Sequence, residues 1–92
     1  MSIFKFNNIS KMEALGYELL SWNLDSDDIN LKFLNDDHYI YIEDHRDGEY
    51  NDFIIYSYYI DEENNYLHYG LEAKELKILY DLIEEVKDYE KK

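Results

Sequence analysis

Apolar positions alternate along the first two thirds of this chain and then recur at helical spacing. Over residues 17–24, Leu20, Trp22 and Leu24 share one side with Glu18 at the head of the row, and Ser21 and Asn23 lie opposite. That two-residue period predicts a strand. Ile29, Leu31 and Phe33 form a second such row. His38, Ile40 and Ile42 form a third, which turns Tyr39, Tyr41 and Glu43 to the other side. Residues 53–60 are the longest apolar run and predict the central strand, and residues 66–69 are a short candidate fifth.

The segments between the rows are rich in turn formers. Asp25, Ser26, Asp27 and Asp28 make one reversal and Asn35, Asp36 and Asp37 another, because Asp, Asn and Ser side chains bond their own backbone. Residues 44–52 are a polar loop centred on Asp47 and Gly48, a hairpin signal. Residues 61–65, Asp-Glu-Glu-Asn-Asn, turn the chain again.

Helices flank the strands. Ser10 followed by Glu13 reads as a capping box, with Ile9 and Ala14 as its staple and Gly16 as the stop of a two-turn helix. Over residues 71–89 the apolar stripe is Leu76, Leu79, Tyr80, Ile83 and Val86, widened by Ile78 and Leu82. The expected fold is α+β: a short N-terminal helix, a four-stranded antiparallel meander, and a long C-terminal helix packed on one face. Ninety-two residues without a linker or repeat form one domain, residues 1–92, with a single small core.

Composition narrows the class. Cysteine is absent, so disulfides and thiolate metal sites are excluded. Residues 1–8 carry no apolar leader and no stretch approaches the roughly 20 apolar residues of a membrane span, so a cytoplasmic protein is expected. The eleven tyrosines have a plain explanation in the AT-rich codons shared by Tyr, Ile, Asn, Lys and Phe.

Charge changes the picture more. The net charge is −13, and residues 13–63 alone hold fifteen acids against Lys32 and Arg46. Such a field repels nucleic acid and anionic membranes and attracts basic proteins with fast, salt-sensitive association. In a meander the reversals at 25–28 and 44–52 fall at the same end of the sheet. That end gathers Asp25, Asp27, Asp28, Asp44, Asp47, Glu49 and Asp52, and the opposite end gathers Asp36, Asp37, Asp61, Glu62 and Glu63. Strand spacing of about 4.8 Å sets such carboxylates at intervals comparable with phosphates along a duplex. Beside them, Tyr39, Tyr41 and Glu43 offer stiff, amphipathic contact surface, with Tyr56 and Tyr58 as candidates to join.

Catalytic chemistry finds little support. His38, His45 and His68 lack metal-ligand spacing, and Asp44 and His45 are adjacent and so point apart. Glu72 and Lys74 match the tail of a nuclease acid-x-Lys pattern but open a helix. Asp25, Ser26 and Asp27 begin like a calcium loop, yet no glycine stands sixth and no glutamate twelfth. No cofactor, metal or enzymatic activity is expected.

In size, charge and layout, the short helix ending at Gly16, the acidic turns and the helix from Leu71 resemble the small acidic anti-CRISPR proteins of phages, and more broadly phage DNA mimics. The resemblance covers the whole chain and rests on no sequence motif. It implies an inhibitor whose acids occupy a basic nucleic-acid groove of a nuclease such as a CRISPR effector, for instance the arginine-lined site that reads duplex DNA. Two further readings stand beside it: an immunity protein or antitoxin for a basic toxin, which the same surface would serve, and a regulatory or dimerising domain whose acidity serves only solubility and which a homodimer through the tyrosine face would favour.

Overall fold

The alternating rows build the sheet they predict. The computed structural model describes residues 6–25 and 28–90; Asp27 and the first five residues of the leader-free N-terminal stretch expected from the sequence lie outside these. In chain order the elements are α1 (Asn7–Ala14), β1 (Glu18–Asp25), β2 (Asp28–Asn35), β3 (His38–His45), β4 (Asp52–Ile60), β5 (Tyr66–His68) and α2 (Ala73–Glu90). All strands join one antiparallel sheet in the order β1-β2-β3-β4-β5. The meander therefore has five strands, not four, because residues 66–68 pair with Tyr58, Tyr59 and Ile60.

One face of the sheet is the core. Ile29, Leu31, Phe33, Ile40 and Ile42 have no exposed surface, and register sets Ile42 against Ile55, and Leu24 and Trp22 against Ile29 and Leu31. Fully burying such a side chain contributes about 1.5–3 kcal/mol. Opposite Cα partners share a face, so the other face carries Ser21, Lys32, Tyr41 and Tyr56 in one row and Leu34, Tyr39 and Tyr58 in the next.

β1 departs from its predicted row. The register shifts between Leu19 and Ser21, so Leu20 is the extra residue of a bulge. Leu19 pairs with Phe33 and packs on the core, Leu20 is exposed, and Glu18 pairs with Leu34 on the outer face. Trp22 and Leu24 keep the inward side as read, although Trp22, on an edge strand, remains 45% exposed.

The helices close the core side and also correct the sequence reading. Helix α1 begins at Asn7, not at Ser10, and its N-cap Phe6 supplies no side-chain cap. The cap comes from α2: Glu85 accepts hydrogen bonds from the amides of Asn7 (2.9 Å) and Asn8 (2.8 Å). Gly16 stops the helix as expected, at φ +98°, with its own amide bonded to the Glu13 carbonyl and the Tyr17 amide to Met12. In α2 the wholly buried positions are Leu79 and Leu82, with Ile83 and Val86 nearly so. Leu76 and Tyr80, expected in the stripe, are exposed, and Glu75 is buried in their place.

Candidate functional site

The outer face of the sheet is a tyrosine surface, and its construction follows from register. Tyr39 lies directly across from Tyr58, and Tyr41 across from Tyr56, so each pair of rings must stack or splay. They stack: Tyr39 on Tyr58 at 5.3 Å between centroids and Tyr41 on Tyr56 at 6.1 Å. Tyr66 of β5, across from Ile60 on the same face, reaches diagonally to stack on Tyr58 at 5.2 Å and 3° from parallel. Lys32 from β2 holds its ammonium 5.2 Å from the Tyr39 ring centre, a cation–π contact. Each such cross-strand pair contributes about 0.2–1 kcal/mol, and together they stiffen the face.

Carboxylates rim these rings. Glu43 shares the face and its row with Tyr41, and Asn30 and Ile54 lie across from it. Asp25 and Asp28 face each other across the β1–β2 reversal, on the outer side and exposed. Burial first, then the Glu43 carboxylate and the charges of Glu43 and Asp28, push the Tyr41 phenol above its ordinary range. Glu43 also contacts the His45 imidazole.

Of the remaining nominated acids, Asp52 shares this outer face across from His45, and the others are dispersed. Asp47 and Glu49 are exposed in the loop 46–51. Asp52 is exposed at the start of β4, where its carboxylate accepts the Phe53 amide at 2.7 Å. Asp44 differs in kind, since it occupies the core-side row opposite Phe53. Its side chain is 8% exposed and clamped by Arg46, with Nε to Oδ1 at 2.9 Å and Nη2 to Oδ2 at 2.7 Å. The Arg46 guanidinium holds this carboxyl below the usual range and answers its charge locally. Asp27 lies outside the described residues. At the opposite end, the Asp61 carboxylate accepts the amides of Glu63 and Asn65, so this acid builds its own turn.

Sequence reasoning nominated Tyr39, Tyr41 and Glu43, held Tyr56 and Tyr58 as candidates, and missed Tyr66 and Lys32. Lys32 was visible at the alternate positions between Leu31 and Phe33. Tyr66 was not, since only β5 pairing brings it beside Tyr58.

A polar chain also runs through the core side, unannounced by the sequence. Tyr17 donates to the Glu75 carboxylate, His38 Nδ1 lies 2.9 Å from the Tyr17 hydroxyl, and His38 Nε2 lies 2.6 Å from Ser57 Oγ. With the phenol proton committed to Glu75, Nδ1 carries the imidazole proton and Ser57 donates to Nε2. The His38 ring stacks on Tyr69 at 4.1 Å. Burial lowers the His38 pKa, the Glu75 charge opposing, and burial followed by the bond to Glu75 drives Tyr17 far upward. The row assignment of His38 with Ile40 and Ile42 therefore holds, and the network lets this imidazole lie inside.

Compared with known proteins, the chain matches no family model, no curated protein and no solved structure. No helix among the described residues is long and apolar enough to cross a membrane.

Proposed function

We propose that this chain is an acidic inhibitor that binds a basic, nucleic-acid-binding partner, a nuclease in the first instance, and blocks the site meant for nucleic acid. The observation that carries the reading is the joining of Asp25, Asp28 and Glu43 to a stacked tyrosine surface on one sheet face, in a chain of net charge −13. Tyrosine rings offer arginine a flat π-face, and carboxylates beside them offer its guanidinium two acceptors. A surface built for phosphates carries those arginines, so carboxylates at strand spacing can take their place. Asp52 adds a carboxylate to the same face at the start of β4, and Asp47 and Glu49 extend the negative surface past the end of the sheet. Asp44 contributes least, because Arg46 already balances it.

The test is capture of purified nucleases, RNA-guided ones included, on the immobilised chain, with duplex DNA as competitor. Retention that duplex DNA displaces, and that Asp25→Lys with Asp28→Lys and Glu43→Lys abolishes, is the expected result. Retention indifferent to DNA overturns the mimicry. A cognate toxin without nucleic-acid-binding activity, bound on the same face, transfers the surface to the immunity-protein reading.

A further inference from the structure

β5 covers only part of β4. Its pairing spans Tyr58 to Ile60, and the ladder on that edge ends where the Tyr69 amide donates to the Ser57 carbonyl at 3.1 Å. At the other end of the same ladder the Asp61 amide donates to the Asn65 carbonyl at 3.0 Å. Alternate residues of an antiparallel strand aim their backbone groups at the same edge, so Phe53 and Ile55 aim theirs here as well. Asp52 takes up the Phe53 amide at 2.7 Å. Ile55 faces the edge with no strand beside it among the described residues.

This open stretch has an apolar flank on one side and a polar one on the other. A depression of about 980 Å³ spans the outer face, where Asn30, Lys32, Tyr41 and Glu43 line it beside Tyr56 and Tyr58, and reaches round the edge to Ile55, Leu71 and Leu76 on the helix side. Leu76 is 45% exposed, and Tyr80, one turn further along α2, is 62% exposed. These are the two stripe positions that the fold itself leaves uncovered. Exposed sheet edges are normally blunted by a bulge, a proline or an inward charge. β1, the other edge strand, has its bulge at Leu20, whereas residues 53–60 contain neither proline nor any charged residue.

We propose that the open edge of β4 takes an extended segment of a partner protein as an added strand, and that this segment alternates apolar residues with lysine or arginine. The inference rests on the basic-partner reading above and names the partner's segment. A residue set against Ile55 turns to the helix side, where Leu71 and Leu76 give it an apolar seat. Its neighbours turn to the outer side, toward the Tyr56 ring and, one strand further in, the Glu43 carboxylate. Charge complementarity selects the occupant. A second copy would bring another −13 against the first, while a basic segment lowers the charge of the complex.

The test is fluorescence anisotropy with a labelled peptide of about eight residues alternating isoleucine and arginine. A control peptide of the same composition groups the isoleucines at one end, and it is expected to bind roughly tenfold more weakly. Leu76→Glu alters an exposed side chain, and Ile55→Pro removes an amide that makes no bond to β3; each should weaken the alternating peptide roughly tenfold. The Ile55 amide should slow its hydrogen exchange when the peptide is saturating. Equal binding of the two peptides, binding untouched by both variants, or an unchanged Ile55 amide overturns the inference. So does a dimer of the chain alone that Leu76→Glu dissolves, which gives the edge to a second copy. The two proposals fail separately. Across the sheet Asp25 lies about 14 Å from β4 and Asp28 about 10 Å, a screening length or more at 0.1 M salt, so reversing both should leave peptide affinity within about twofold. Peptide binding without nuclease capture removes the mimicry alone, and capture without peptide binding removes the added strand alone.

Discussion

His38 occupies a core row with Ile40 and Ile42 because Tyr17 and Ser57 satisfy both of its ring nitrogens. Its folded-state pKa lies below the unfolded value of about 6.5, so the unfolded chain binds the extra proton first. The stability attached to a neutral His38 is therefore whole above about pH 6.5 and falls as pH drops through that value. Urea unfolding followed from about pH 7.5 to 5 should show this loss, and His38→Gln should flatten it. Tyr17→Phe leaves Glu75 and the imidazole without their shared partner and is expected to cost about 1–3 kcal/mol in the same assay. Gly16 offers a second test at this scale. It sits at φ +98°, and an added Cβ would meet Asn35 Nδ2 at 3.2 Å, so Gly16→Ala should lower stability by about 1–2 kcal/mol.

At the scale of elements, legibility depended on whether the deciding contact was local. The rows of β2 and β3 could be read directly, since Ile29, Leu31, Phe33, Ile40 and Ile42 alternate without interruption and all are buried. The bulge at Leu20 could not, because Leu19 and Leu20 are equally apolar and a one-residue slip exchanges them. Helix α2 has its buried face set partly by Glu75, and periodicity reads an acid as outward; its burial is made tolerable by Tyr17, 58 residues away in sequence, and by the Glu72 amide at 2.9 Å. The start of α1 was misplaced for the same reason, since its cap, Glu85, stands 78 residues from Asn7. Asp44 is the opposite case: its partner Arg46 is two residues on, so its neutralisation is local and legible in the sequence. Glu85→Ala should remove the cap of α1 and cost about 0.5–2 kcal/mol, with faster amide exchange confined first to residues 7–14. Exchange that accelerates equally in β2 and β3 would show that α1 does not open on its own.

Across the whole molecule, charge is the property that sequence conveyed best and structure refined most. The −13 is a sum over the chain, and folding decides which charges remain available. Asp44 is balanced by Arg46 and Asp61 is committed to its turn, while Asp25, Asp28 and Glu43 share a face with the tyrosines. Association with a basic partner on that face should weaken steeply between about 50 and 500 mM salt, since exposed charges are screened over about 10 Å at 0.1 M. Titration calorimetry across that range checks it, and a flat affinity would mean that the apolar flank of the β4 edge, not the charge, drives association.

The Glu85 clasp carries a consequence in time. An eight-residue helix is too short to persist alone in water, and α1 takes both its cap and much of its packing from α2. On the ribosome α1 emerges before the strands, and α2 follows all of them. While strands β1 to β5 are being produced, α1 has no carboxylate to close it and the inner face of the sheet has no long helix across it. Helix α1 is thus finished by an element made after the whole sheet, and its cap closes only once translation has passed Glu85.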